Sequence, residues 1–176
     1  MISGENLFAV VLPAGGLGLR MGGQIPKQLL PLKGKPVYRH SLDTFLSLKE
    51  ISEVVLAVPQ DWKEHFENDI LNAGISTEWK NKLKIVVGGK ERWQSVRHGV
   101  ETITSNAKYV LVHDVARPFI SKELLTQIFE TLVSKGSCIV AKECADTVKV
   151  VTNGKIEKTL DRNSIWLAQT PQCASV

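Results

Sequence analysis

Five short runs of aliphatic and β-branched residues punctuate this chain: Leu7 to Leu12, Glu53 to Val58, Leu83 to Val87, Tyr109 to Val112 and Ser137 to Ala141. Between them lie stretches of helical spacing, and this alternation leaves little choice of architecture. After Glu91, the residues Trp93, Val96, Val100 and Ile103 fall on one helical stripe. After Ser121, which sits where an N-cap belongs, Leu124, Leu125, Ile128, Phe129 and Leu132 recur with the same period. Repeated strand-helix-strand units close as right-handed crossovers, so they predict a mostly parallel sheet with helices on both faces. All five runs are then buried strands, because a parallel sheet shows neither face to water. The predicted fold is a three-layer α/β/α, Rossmann-like domain.

A chain of 176 residues, 43% of them hydrophobic, buries enough apolar surface to fold around one core without staples. Cys138, Cys144 and Cys173 form an odd set with no C-x-x-C spacing, which argues against a disulfide framework and a zinc site and suits the cytoplasm. The start lacks a basic n-region, and the first apolar run is too short for a signal core or a membrane span. The 22 basic and 18 acidic residues leave a net charge of +4. Lys80, Lys82 and Lys84 lack interleaved aromatic residues and read as a solvated face, not a nucleic-acid surface. A mild positive balance suits an acidic small-molecule substrate.

Beyond Ala141 the pattern changes. Thr147 to Val151 and Lys155 to Leu160 flank Asn153-Gly154, the signature of a tight β-hairpin. With so few apolar positions the hairpin is marginal alone, so residues 142–165 are read as an arm projecting onto a second subunit. The whole chain, 1–176, is otherwise one domain, and Trp166 is read as core packing.

Ligands of an open parallel sheet bind beyond the carboxyl ends of its strands. Four such junctions stand out. The first, Pro13-Ala14-Gly15-Gly16-Leu17-Gly18-Leu19-Arg20-Met21-Gly22, is a glycine-rich loop whose N–H groups can turn toward an anion, with Arg20 and Lys27 as mobile cations. It fits neither common phosphate loop: Met21 replaces the third glycine of the dinucleotide fingerprint, and Gly34-Lys35 is followed by Pro36, not by Ser or Thr. A plain structural turn is the other reading. The second, His113-Asp114-Val115-Ala116-Arg117-Pro118, ends a strand on a carboxylate that either helps to hold Mg²⁺ on phosphates or caps a helix. His113 is read as a structural neighbour, since no second ligand stands at metal spacing. The third, Gly88-Gly89-Lys90-Glu91-Arg92-Trp93-Gln94-Ser95, either recognises a base or ribose or forms a turn. The fourth, Asp161 to Gln172, offers Arg162 as a planar phosphate clamp.

Together these residues resemble the family of 2-C-methyl-D-erythritol 4-phosphate cytidylyltransferases, of the nucleotide-diphospho-sugar transferase type. Seven segments carry the resemblance in the family's order: Pro13 to Met21, Pro26-Lys27-Gln28, Gly88-Gly89 with Glu91-Arg92 and Ser95, His113 to Pro118, Asp146-Thr147, Asp161-Arg162-Asn163 and Thr170-Pro171-Gln172. The resemblance implies transfer of CMP from CTP to the polyol phosphate, with release of pyrophosphate and no covalent enzyme intermediate. It implies catalytic roles for Arg20, Lys27 and Arg162, and a Mg²⁺ held by Asp114. Pro13, Ala14, Gly15, Gly16, Gly18, Gly88, Gly89, Lys90 and Ser95 are the implied nucleotide-binding positions. Lys90 replaces an acidic residue, so the backbone would have to accept from the cytosine amino group. Thr147, Arg117, Arg162 and Thr170 are the implied polyol-phosphate contacts, with the arm carrying Thr147 and Arg162 into a neighbouring subunit of a homodimer.

Two other readings stay open. A ribitol-5-phosphate cytidylyltransferase shares the glycine loop, the strand-end Asp and Thr-Pro-Gln, although Asp161-Arg162-Asn163 and Trp166 lean toward the methylerythritol enzyme. A CTP-binding or dimerisation module without catalysis is the reading from another class. The family continues past the Thr-Pro-Gln motif with a further active-site lysine, so the expectation at Val176 is a chain cut before its last part, with weakened turnover.

Overall fold

A computed structural model describes residues 7–15 and 25–176. In chain order the elements are β1 (Phe8–Pro13), the two-residue strands β2 (Pro31–Leu32) and β3 (Lys35–Pro36), α1 (Val37–Leu46), β4 (Ile51–Val58), α2 (Lys63–Asn72), α3 (Thr77–Lys82), β5 (Leu83–Val87), α4 (Arg92–Thr102), β6 (Tyr109–Val112), α5 (Lys122–Lys135), β7 (Ser137–Glu143), β8 (Lys149–Thr152), β9 (Lys155–Thr159) and β10 (Trp166–Ser175). The main sheet has the order β5-β4-β1-β6-β10-β7. Strands β5, β4, β1 and β6 are parallel, and β10 is inserted antiparallel between β6 and β7.

All five predicted strands form, and every residue of the central β1 is buried. Two of the five correct the expectation of burial. Strands β5 and β7 are the sheet's edges, so β5 is half-buried throughout and β7 mixes half-buried with exposed positions.

The strand alternation of β1 assigns the layers. Phe8 stacks on Phe129 of α5 with ring centroids 4.2 Å apart. On that face Phe8, Val10 and Leu12 join Leu42 and Phe45 of α1, Phe66 of α2 and Leu125 of α5 in the main core. Val11 points the other way and meets α4: a Cβ on Gly99 would lie 2.4 Å from Val11 Cγ1, so glycine lets this helix rest directly on the strand. The result is the expected three-layer arrangement, with α4 the layer beyond Val11. The buried positions of α4 are Ser95 and Gly99, while Trp93, predicted on the apolar stripe, is 61% exposed. Close helix-strand contact selects small residues and rotates the stripe away from the tryptophan.

Both long helices begin as their sequences require. Gln94 accepts the Glu91 N–H at 2.9 Å ahead of α4, and Ser121 accepts the Leu124 N–H at 3.2 Å ahead of α5. Away from the carboxyl ends of the strands, the buried Glu53 of β4 accepts from Lys84 at 2.7 Å and from the Ser105 N–H at 2.8 Å. Lys84 is therefore a structural partner, not part of a purely solvated lysine face. Burial alone would raise the Glu53 carboxyl, but Lys84 and the Ser105 and Thr104 N–H groups outweigh it and hold the pKa below the usual range.

Strands β8 and β9 pair as a separate two-stranded sheet. Asn153 (φ 50°) and Gly154 (φ 77°) make its turn, both in the left-handed region that a tight hairpin demands. Trp166, expected in the core, is 57% exposed. It begins the half of β10 that pairs only with the edge strand β7, since β6 meets β10 from Gln172 onward. Among the described residues no helix is long and apolar enough to cross a membrane.

Candidate active site

The carboxyl ends of β1, β5 and β6 border a cleft of about 260 Å³. Pro13 ends β1 and Gly15 follows it, Gly89 to Arg92 and Ser95 follow β5, Asp114 to Ala116 follow β6, and Lys27 with Gln28 completes the lining. Parallel strands deliver these loops to one side of the sheet, which is why residues a hundred positions apart meet.

Ser95 joins two of the loops. Buried in the first turn of α4, it accepts the Gly89 N–H at 3.0 Å. A Cβ on Gly88 would lie 2.6 Å from Ser95 Oγ, one on Gly89 would lie 2.2 Å from Gln94 Cβ, and one on Gly15 would lie 3.4 Å from Ser95 Oγ. The glycine pair is thus imposed by the close approach of α4. Backbone, not side chain, forms the wall of the cleft there.

Gln28 stands under the first loop, 2% exposed, and donates from Nε2 to the Ala14 carbonyl at 2.9 Å. Among the described residues its Oε1 has no hydrogen-bond partner. A buried orphan acceptor costs about 1–3 kcal/mol, which a donor on a bound molecule or a water offsets. Lys27, beside it, is exposed at the cleft.

Asp114 lies between two guanidinium groups. Arg92 Nε is 2.9 Å from Oδ1, and Arg117 Nε is 3.8 Å from Oδ2. Ser121, not Asp114, caps the next helix, which leaves the carboxylate free of that duty. The Asp114 N–H donates to Thr170 Oγ1 at 3.3 Å, and that hydroxyl lies 3.1 Å from His113 Nδ1. His113 Nε2 lies 3.1 Å from the Arg117 carbonyl, and the Arg117 side chain bonds Gln169. Burial depresses the His113 pKa below the ordinary imidazole value, against weaker raising effects from the Arg117 carbonyl and Asp114. Burial thus favours the uncharged ring.

The donor set says what kind of metal this cleft suits. Among the described residues no three His, Cys, Asp or Glu side chains converge, so no resident metal cage is built. A single strand-end carboxylate fits Mg²⁺ that arrives already bound to phosphate oxygens.

Of the residues singled out from sequence, Pro13, Gly15, Lys27, Gly89, Lys90, Ser95 and Asp114 line the cleft. Ala14 and Gly88 lie directly behind it, and Arg117 and Thr170 connect to it through Asp114. Gly16, Gly18 and Arg20 lie outside the described residues. Thr147 and Arg162 are exposed on the hairpin side and do not line the cleft, with Arg162 Nη1 donating to the Ala145 carbonyl at 3.3 Å. Sequence reading gave no role to Gln28 or Arg92. A glutamine beside the cleft lysine, and an arginine opening a helix after a glycine pair, were the signals available.

A family model described as 2-C-methyl-D-erythritol 4-phosphate cytidylyltransferase matches residues 8–176. The chain is 41% identical over 169 residues to the chloroplastic enzyme of that name from Oryza sativa subsp. japonica, covering 96% of this chain and 55% of the relative. A Clostridioides difficile enzyme of the same name is 33% identical over 166 residues, covering 94% and 68%. The crystal structure of 4-diphosphocytidyl-2C-methyl-D-erythritol synthase from Anaerococcus prevotii superposes with a TM-score of 0.80 at 26% identity, covering 97% of this chain and 71% of that one. The chain therefore spans about half the length of the rice relative. A match along almost all of its own length, together with a cleft assembled from the segments that carry the resemblance, shows that the chain belongs to the 2-C-methyl-D-erythritol 4-phosphate cytidylyltransferase family.

Proposed function

We propose that this chain transfers CMP from CTP to 2-C-methyl-D-erythritol 4-phosphate. The observation that carries this reading is the convergence of Gly15, Gly89, Lys27 and Asp114 on one cleft at the strand ends of a chain in this family. An oxygen of the polyol phosphate bonds to the α-phosphorus of CTP. The bond from that phosphorus to the bridging oxygen of the β-phosphate breaks, and pyrophosphate leaves with the electron pair. A phosphate oxygen is already anionic, so no general base is required and His113, occupied by two hydrogen bonds, need not be one.

Such a displacement asks the protein for alignment and for positive charge near the equatorial oxygens. Lys27 and Arg20 supply the charge, and Arg92 is a further cation at the cleft wall. The glycine walls and Ser95 admit the cytidine, with backbone groups reading the base because Lys90 cannot accept a hydrogen bond. Asp114 would hold Mg²⁺, which neutralises charge on the triphosphate when bound.

Thr147 and Arg162 bind the polyol phosphate of a neighbouring chain's cleft in a homodimer, with residues 142–165 as the arm. Their exposure on the hairpin side, away from their own chain's cleft, supports this division. Three free thiols suit a reducing compartment such as the cytoplasm. The test is pyrophosphate release with CTP, Mg²⁺ and either methylerythritol phosphate or ribitol 5-phosphate, with the CDP-polyol identified by mass. Preferred release with methylerythritol phosphate is expected; a strong preference for ribitol phosphate, or nucleotide binding without release, overturns the proposal.

A further inference from the structure

We infer that His113 is a positioning residue, fixed as the Nε2–H tautomer, that ties the Asp114 turn to Thr170 through a directed chain of hydrogen bonds. The inference rests on the reading of the cleft as a cytidylyl-transfer site. The assignment follows from which atoms can donate. The Arg117 carbonyl only accepts, so the ring nitrogen 3.1 Å from it, Nε2, carries the hydrogen. The other ring nitrogen, Nδ1, faces the Thr170 hydroxyl at 3.1 Å inside this buried pocket and offers it a lone pair. With its proton committed to His113, Thr170 Oγ1 presents a lone pair to the Asp114 N–H at 3.3 Å.

Other contacts leave the ring no alternative. Ser41 Oγ of α1 donates to the same Arg117 carbonyl at 3.1 Å, and Phe45 meets the imidazole edge-on with centroids 5.5 Å apart. His113 is 1% exposed, so water does not replace either partner. The turn bearing Asp114 and Arg117 is thereby fastened to α1 on one side and β10 on the other. A side chain that touches neither substrate nor metal sets where both functional groups begin.

The test reads the tautomer directly. ¹⁵N NMR of the histidine-labelled chain near neutral pH, with His113 identified by its loss in His113→Gln, is expected to show a protonated Nε2 and a bare Nδ1. Thr170→Ser keeps that pattern, and Thr170→Val shifts the Nδ1 signal. In turnover, His113→Gln retains an N–H donor toward Arg117 but no acceptor at the position of Nδ1, and is expected to lower kcat by about 10- to 100-fold with the KM for CTP within about twofold. A ring protonated at Nδ1, an Nδ1 signal indifferent to Thr170→Val, or an unchanged kcat overturns the inference. Failure of the wild-type chain to release pyrophosphate counts against the transfer reading instead, and leaves the tautomer result standing.

Discussion

At the cleft, Ser95, His113, Gln28 and Thr170 are all buried, and between them they bond the segments that follow β1, β5 and β6. Every residue of β9, by contrast, is exposed, and among the described residues the two hairpin strands pair only with each other. One region is held by packing and buried polar bonds that no solvent can replace. The other is held by a turn, a backbone ladder and the contact of Arg162 with Ala145. Preorganisation is concentrated where the proposed transfer would need charge placed accurately, and the hairpin keeps the exposed surface that the proposed dimer would cover.

That contrast can be broken at several points. The largest effect is expected from Lys27→Ala, which should slow transfer by about 10²–10³-fold while CTP affinity is largely kept. Single-turnover rates beside a CTP titration check it, and equal losses in both would mean simple ground-state binding. Next, Arg162→Ala should raise the KM for the polyol phosphate about 10- to 100-fold, as expected for a lost charged hydrogen bond, with CTP binding unaltered. Mixing the Lys27→Ala and Arg162→Ala chains sharpens the test: a site shared between subunits regains about a quarter of wild-type sites in a random dimer mixture. No recovery would confine each site to one chain.

A smaller effect belongs to Gly154→Val. A β-branched residue in the left-handed region costs about 1–2 kcal/mol, and here the cost falls on the hairpin alone. Sedimentation should show a weaker dimer while the unfolding midpoint of the main sheet stays put. Least effect on transfer is expected from Glu53→Gln, remote from the cleft. The folded Glu53 pKa lies below its unfolded value, so its contribution to stability is full above the unfolded pKa and is lost as pH falls through the folded one. Urea unfolding should therefore find the variant weaker than wild type at neutral pH, with the gap closing in acid.

The strands and the helix beginning after Ser121 were legible because their periodicity and capping are local properties of the chain. The turn at Asn153-Gly154 was legible for the same reason. Edge position was not: apart from Lys84, β5 is as apolar as β1, and the sheet order leaves one half-buried and buries the other. Tertiary contact also decided α4, where Gly99 on Val11 turned Trp93 outward. Strand β10 escaped notice because Gln169, Thr170, Pro171 and Gln172 break any apolar alternation, and proline argues against an interior strand. The sheet accommodates it by a register shift against β7 between Ala168 and Gln172. The cleft glycines, Lys27 and Asp114 were visible as strand-end residues, whereas Gln28 and the partners of His113 required burial and distance to be known.

The antiparallel insertion of β10 has a further consequence, for the order of assembly. Among the described residues β7 pairs in the sheet with β10 alone, so its backbone ladder forms only once that ten-residue strand lies between it and β6. The parallel four-stranded half can thus form before this edge is laddered, through contacts of long sequence separation. Thr170 travels on that closing strand. Until that strand is paired, the turn bearing Asp114 lacks the Thr170 hydroxyl that accepts its N–H.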